Sequence, residues 1–397
     1  MQEVSQRIKN LSESQTIAMA QKSRELKAKG IDIISLSLGE PDFNTPDFIK
    51  EAAKKAIDEN YNSYTPVSGY LELREAISRK FKRDNNLEYE ADQIVCSTGA
   101  KQSLANVVMS LVNPGDEVIV PAPYWVSYIE IIKLAEGVPV IIEANIDTDF
   151  KITPDQLKSA INEKTKMLIY SSPCNPTGSI YSKEELSDLA KIIAIKKDLY
   201  VISDEIYEHI NFIGNHHSIA ENSIIYDQVI TVNGVSKAFA MTGWRLGYIG
   251  APKWIAKACD KMQGQVTSGT NCITQRAVIA AMEEDPSCTH KMKDAFKERR
   301  DFILERLLEM KGVKINQPKG AFYVFPEISS FFGKKFEGYS INNANDLCMY
   351  LLEEAKVAMV TGEAFGNKEC IRISYATSLE QLKKAMDRIA NALNKLN

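Results

Sequence analysis

Seven short apolar runs, many of them β-branched, recur between residues 94 and 249, and helical patterns separate several of them. They are Ile94–Cys96, Glu117–Val120, Val138–Ile142, Lys166–Tyr170, Leu199–Ile202, Val229–Val232 and Leu246–Ile249. Strands spaced by helices need crossover connections, which predicts an α/β fold with a mainly parallel seven-stranded sheet. The runs are continuously apolar rather than alternating, so both faces of the sheet should be covered by helices. Residues 100–112 read as a helix stopped by Asn113-Pro114-Gly115, and residues 183–196 as another. The second run is expected to end at Pro121.

Beyond residue 252 the pattern is helical. A charged helix over 291–308 carries an apolar stripe at Phe296, Phe302, Ile303 and Leu307. A smaller α/β region follows, with strands at 321–325, 357–360 and 371–374 and helices near 345–355 and 378–394. The short strand at 33–36 is too isolated to stand alone and is expected to pack with this region. The expected units are 1–45, a large domain over 46–295 and a small C-terminal domain over 296–397.

At 397 residues the chain can bury a large core without staples. Its net charge of −4, with scattered basic residues, points away from nucleic acid or a membrane surface. Seven cysteines without a CxxC pair read as reduced thiols of a cytoplasmic protein. The four histidines lack metal-ligand spacing, so no metal is expected, and His216-His217 reads as a surface loop pair. The N-terminus lacks the apolar stretch of a secretory signal, and no apolar run approaches a membrane span. GxGxxG and GxxxxGK[ST] are both absent from the sequence.

Chemistry concentrates at the ends of the strand-like runs, where open α/β sheets gather ligands. Ser97-Thr98-Gly99-Ala100 leaves a strand and opens a helix, which is a phosphate seat or an ordinary turn. Ser172-Pro173-Cys174-Asn175-Pro176 is a stiff loop able to aim the Asn175 amide inward. Asp204 ends an apolar run and is either an exposed turn residue or a functional anion, with Tyr207 three residues on. Lys237 lies 33 residues beyond Asp204, and Arg245 follows eight residues later. Lys237 sits among Val, Ala and Phe, where desolvation favours the neutral, nucleophilic amine. Arg245 and Arg372 lie beside small or apolar residues. A buried arginine there needs an anion, whether a ligand or an internal partner. An imine-forming lysine, an aspartate for a ring nitrogen and an arginine for a phosphate are the parts that pyridoxal phosphate chemistry demands.

The chain resembles class I pyridoxal-phosphate aminotransferases of fold type I, and more narrowly bacterial aspartate aminotransferases of subgroup Ib. The resemblance runs from Gly39-Glu40-Pro41-Asp42-Phe43 to Arg372-Ile373-Ser374-Tyr375-Ala376 and is most specific at 123–128 and 238–245. It implies that Lys237 binds the cofactor aldehyde and later moves the proton, while Asp204 pairs with the pyridine nitrogen. It implies Tyr207 and Asn175 on the phenolic oxygen and Trp125 stacked on the ring. Gly99, Ala100, Ser236 and Arg245 would hold the phosphate, with Lys101 also on the cofactor side. Tyr64 would reach the phosphate of a neighbouring subunit, making the active unit a homodimer. Arg372 would take the substrate α-carboxylate, with Gly39, Trp125 and Asn175 beside it. Ser14, Thr16 and Lys101 would meet the distal carboxylate.

The implied reaction transfers the amino group of L-aspartate to 2-oxoglutarate. Aromatic, prephenate and other amino-acid substrates, or a β-lyase, are alternatives on the same scaffold. Three departures stand out. Cys174 replaces an asparagine or serine, and Ala100 replaces the second glycine of a pair. Ser12-Glu13 replaces a Lys-Pro pair that tends to accompany prephenate use. A cofactor-sensing DNA regulator would need an added helix-turn-helix domain, for which the stretch ahead of the first strand is short.

Overall fold

The computed structural model describes residues 3–397. Its centre is a seven-stranded sheet built from β1 (Ile94–Ser97), β2 (Glu117–Ala122), β3 (Val138–Glu143), β4 (Thr165–Ser171), β5 (Tyr200–Asp204), β6 (Val229–Gly234) and β7 (Gly247–Gly250). The order across the sheet is β1-β7-β6-β5-β4-β2-β3. Only β7 runs antiparallel to its neighbours; the pairings among β2 to β6 are parallel.

The continuous apolar runs have a direct cause. Successive side chains of a strand point to opposite faces. Ile94, Ile119, Leu168 and Val201 pack into one helix-covered core. Their neighbours Val95, Val118, Val120, Ile169 and Ile202 pack into a second core on the other face. Helices Leu71–Asn85 and Cys272–Glu283 supply side chains to the first layer. Ala100–Leu111 and Lys253–Val266 supply them to the second. Each fully buried Leu, Ile or Val contributes roughly 1.5–3 kcal/mol, so two such layers hold the sheet rigid. The edge strand β3 is the exception, with Val138 and Ile141 exposed.

β2 runs through Pro121 to Ala122, one residue past the expected stop. The proline is tolerated because the ladder to β4 ends at Ile119, so the missing N–H removes no bond on that side.

A third core joins helices His290–Leu308 and Leu379–Leu393 to strands Tyr323–Val324 and Ile371–Ser374. Ile34 and Leu36 are buried in it, and Ile34–Ser35 pairs in parallel with Val357–Ala358. The run at 357–360 is not one strand. Val357–Ala358 belongs to that pair, whereas Val360–Thr361 pairs with Ile371–Arg372 in a different sheet. The strand expected over 321–325 shortens to Tyr323–Val324.

Candidate active site

The carboxyl ends of the parallel strands open into a cavity of about 320 Å³, within the usual span of roughly 300–1,000 Å³ for small-molecule sites. Asp204 is the last residue of β5, Lys237 lies just past β6, and Asn175 lies just past β4. Trp125 follows β2, and Ala100 opens the helix after β1. Because β7 is antiparallel, its amino end reaches the same rim and delivers Arg245. Arg372 enters from the C-terminal strand, and Ser14, Thr16 and Gly39 come from the N-terminal segment. The structure therefore brings every sequence-predicted site residue to one cleft except two. Gly99 sits directly behind Arg245, where an added Cβ would lie 2.3 Å from Nη2. Tyr64 stands elsewhere, 99% exposed.

Lys237 donates to the carbonyl of Gly39. Its nitrogen lies 5.9 Å from the ring centres of Tyr207 and Phe322. Withdrawal from water, helped by the Arg372 and Arg245 cations and opposed by Glu40, pushes its ammonium down to about 8. Asp204 moves the other way. Burial raises its carboxyl to about 6, against the Tyr128 hydroxyl, the Ile206 N–H and the Lys237 charge. A base and an acid with pKa values drawn towards neutrality mark a site of proton transfer.

Arg372 is 2% exposed and no carboxylate is among its hydrogen-bond partners. Nη1 donates to Asn175 Oδ1 at 3.0 Å and Nη2 to the Ser37 carbonyl at 2.6 Å. Its Nε is buried without a partner. The guanidinium stacks on Tyr323 and Phe365 at 4.6 and 4.8 Å. A buried cation held by neutral dipoles is a receptor for an anion. The Tyr207 hydroxyl lies 2.9 Å from that of Tyr323. Lys101 stands over the Trp125 ring at 5.0 Å.

Two readings of the sequence are corrected. Arg245 is exposed at the cleft rim rather than buried, because its side chain meets the open cleft. It donates to the carbonyls of Thr242 and Thr98 at 2.8 and 3.4 Å. His216 is no surface residue: its side chain is 6% exposed and lies 2.9 Å from Glu205 Oε2. Glu205, Glu208 and His216 cluster beside β5, and Lys80 supplies the cation there by pairing with Glu208.

Sequence reasoning missed several cleft residues, two of them in direct contact with the central groups. Tyr128 donates to Asp204 Oδ2 at 2.6 Å, and Tyr323 bridges Tyr207 and Arg372. Both lie in runs that pattern alone assigns to core packing. Only the aromatic density of Tyr124-Trp125-Val126-Ser127-Tyr128 hints at more.

An α/β fold with an acid–lysine pair at the strand ends and a buried arginine facing them defines an enzyme that works on a small anionic substrate. Residues 31–389 match the aminotransferase class I and II family, and the chain belongs to it. It is 48% identical over 395 residues to a Petunia hybrida protein described as a bifunctional aspartate aminotransferase and glutamate/aspartate-prephenate aminotransferase, covering 98% of this chain and 82% of that one. The Rhizobium meliloti aspartate aminotransferase structure superposes with a TM-score of 0.97 at 39% identity, covering all of both chains. The Thermus thermophilus aspartate aminotransferase with maleate gives 0.93 at 39% identity, covering 99% of this chain and all of that one.

Proposed function

We propose that the chain is an L-aspartate:2-oxoglutarate aminotransferase that carries pyridoxal phosphate on Lys237 and yields oxaloacetate and L-glutamate in a ping-pong cycle. The observation that carries this reading is the Lys237 amine, drawn down to about 8, between buried Asp204 and the anion-seeking Arg372. The residues fit the cofactor. The Gly99 backbone leaves room against the Arg245 guanidinium, and the helix Ala100–Leu111 points its free N–H groups at the same place. Once bound, the cofactor supplies an electron-withdrawing pyridine ring that acidifies the Cα–H of a joined amino acid.

Lys237, neutral above about pH 8, would hold the cofactor by condensing with its aldehyde with loss of water, and once displaced by a substrate amine its free amine would be placed to accept the substrate Cα proton and return it. Asp204 would pair with the ring nitrogen and keep it protonated. Tyr207 and Asn175 would face the phenolic oxygen, and Trp125 would cover the ring. Arg245, Ser236, Ala100 and Gly99 would hold the phosphate, with Lys101 nearby. Arg372 binds the α-carboxylate beside Gly39. Ser14, Thr16 and Lys101 receive the distal carboxylate. The Thr16 Oγ1, buried at the cleft without a partner, supports that role. The maleate in the Thermus structure's description is a four-carbon dicarboxylate of aspartate's size. Tyr64 serves the site of a second copy, so the working unit is a homodimer. All seven cysteines are free thiols, which supports a reducing, cytoplasmic setting.

The test is Lys237→Ala. The purified variant should neither take on the colour of a lysine-bound cofactor nor transaminate aspartate, and turnover at wild-type rate would end this reading. The Petunia relative's name makes prephenate the second reading. Comparing kcat/KM for aspartate, tyrosine and the glutamate–prephenate pair separates the two.

A further inference from the structure

Asp204 does not stand alone at the end of β5. Its Oδ2 accepts the Tyr128 hydroxyl at 2.6 Å, while Oδ1 accepts only a long bond from the Ile206 amide at 3.3 Å. Tyr128 is 1% exposed and sits in the first turn of the helix Ser127–Leu134. Its ring meets Trp125 edge-on, with centres 5.5 Å apart and planes at 83°. The turn leading into this helix, closed by the Tyr128 N–H donating to the Trp125 carbonyl at 3.0 Å, thus carries both the indole facing the cleft and the hydroxyl that grips the carboxylate. Burial and the neighbouring Asp204 charge drive the Tyr128 phenol well above its ordinary value, so it remains a donor at every working pH. Its bond is the largest influence holding Asp204 towards the anion, against burial.

We propose that Tyr128 is a positioning residue whose hydroxyl fixes the Asp204 carboxylate as an anion aimed at the ring nitrogen of bound pyridoxal phosphate. The proposal rests on the cofactor reading above. Without this hydroxyl, Asp204 becomes the more basic partner. The proton shared with the ring then shifts from the ring nitrogen to the carboxylate, with no change in total charge. The other groups facing Asp204 are Lys237, Tyr207, Glu205 and the Cys174 thiol, and none of them donates a hydrogen bond to it.

Tyr128→Phe keeps the ring and its contact with Trp125 and removes only the hydroxyl. The readout is the nitrogen NMR shift of isotope-labelled cofactor bound to the holoenzyme, together with the pH at which the protein changes colour. Wild type should show a protonated ring nitrogen. The Phe variant should move towards the unprotonated value and change colour at higher pH. Its kcat for aspartate should fall about tenfold with KM little altered. A Phe variant with wild-type ring protonation and colour change makes Tyr128 a packing residue and overturns the proposal. Tyr128→Gln, which returns a donor, should recover part of the shift, and equal displacement in both variants also overturns it. Wild-type protein that takes up no cofactor would instead refute the cofactor reading.

Discussion

Asp204 and Lys237 titrate against their burial, and the protein bears that cost when the cleft is empty. The Asp204 carboxyl is raised from its ordinary 3.8 to about 6, first by burial and then by the Glu205 charge. A carboxylate whose folded pKa lies above its unfolded value subtracts from stability once it ionises. The penalty is absent below pH 4, grows between pH 4 and 6, and is full above pH 6. Asp204→Asn should therefore stabilise the cofactor-free protein at pH 7 by about 1–3 kcal/mol, since one pKa unit is worth about 1.4 kcal/mol. The gain should vanish near pH 4 while cofactor affinity falls. Urea unfolding of the apo protein at the two pH values checks this, and equal stability at pH 7 would contradict it. Site strain of this kind is the usual trade of stability against activity.

At the scale of elements, β7 and the turn after β1 lie backbone against backbone. A Cβ on Gly247 would lie 2.1 Å from the Ala100 amide nitrogen and 2.6 Å from the Gly99 carbonyl carbon. Those are backbone atoms, so no rotamer change relieves the clash. Gly247→Ala should push the helix Ala100–Leu111 out of line with Arg245, cost about 1–3 kcal/mol of stability and weaken cofactor binding at least tenfold. Cofactor titration with a thermal melt measures both, and wild-type values would show that the turn is not clamped by β7. This contact could not be read from sequence, because Gly247 looks like any strand glycine. The sheet itself was legible, since strands buried on both faces leave unbroken apolar runs and Asp204, Asn175 and Lys237 fall just at or past their ends. The C-terminal strands were legible only in part: 371–374 falls where the sequence places it, but the run at 357–360 does not form one strand. Val357 to Val360 is apolar throughout, yet Val357–Ala358 and Val360–Thr361 serve different sheets, and only the partners Ile34–Ser35 and Ile371–Arg372 decide that. His216 and Arg245 failed for a related reason. A charged side chain's burial is set by what it meets across the fold, Glu205 in one case and open cleft in the other.

On the scale of the whole molecule, the cleft draws on all parts of the chain, yet Tyr64 stays apart from it. Its loop is firmly held. Gln275 Nε2 donates to Thr65 Oγ1 at 3.0 Å, Gln263 Nε2 donates to the Val67 carbonyl at 2.7 Å, and the Arg276 guanidinium lies 4.7 Å from the Tyr61 ring centre. A pinned loop that presents a tyrosine 99% exposed fits a residue whose partner lies on another molecule. If Tyr64 completes the phosphate site of a second copy, two crippled subunits should repair each other. Lys237→Ala homodimers lack the amine at both sites, and Tyr64→Ala homodimers lack the hydroxyl at both. In a mixed dimer, one site takes Lys237 from the Tyr64→Ala subunit and Tyr64 from the Lys237→Ala subunit, and so is intact. The other site carries both defects. Unfolding and refolding the two variants together should restore tight cofactor binding to a fraction of sites and raise activity above that of either variant alone. Activity equal to the average of the separate variants would place Tyr64 outside the partner's site and leave each subunit to work by itself.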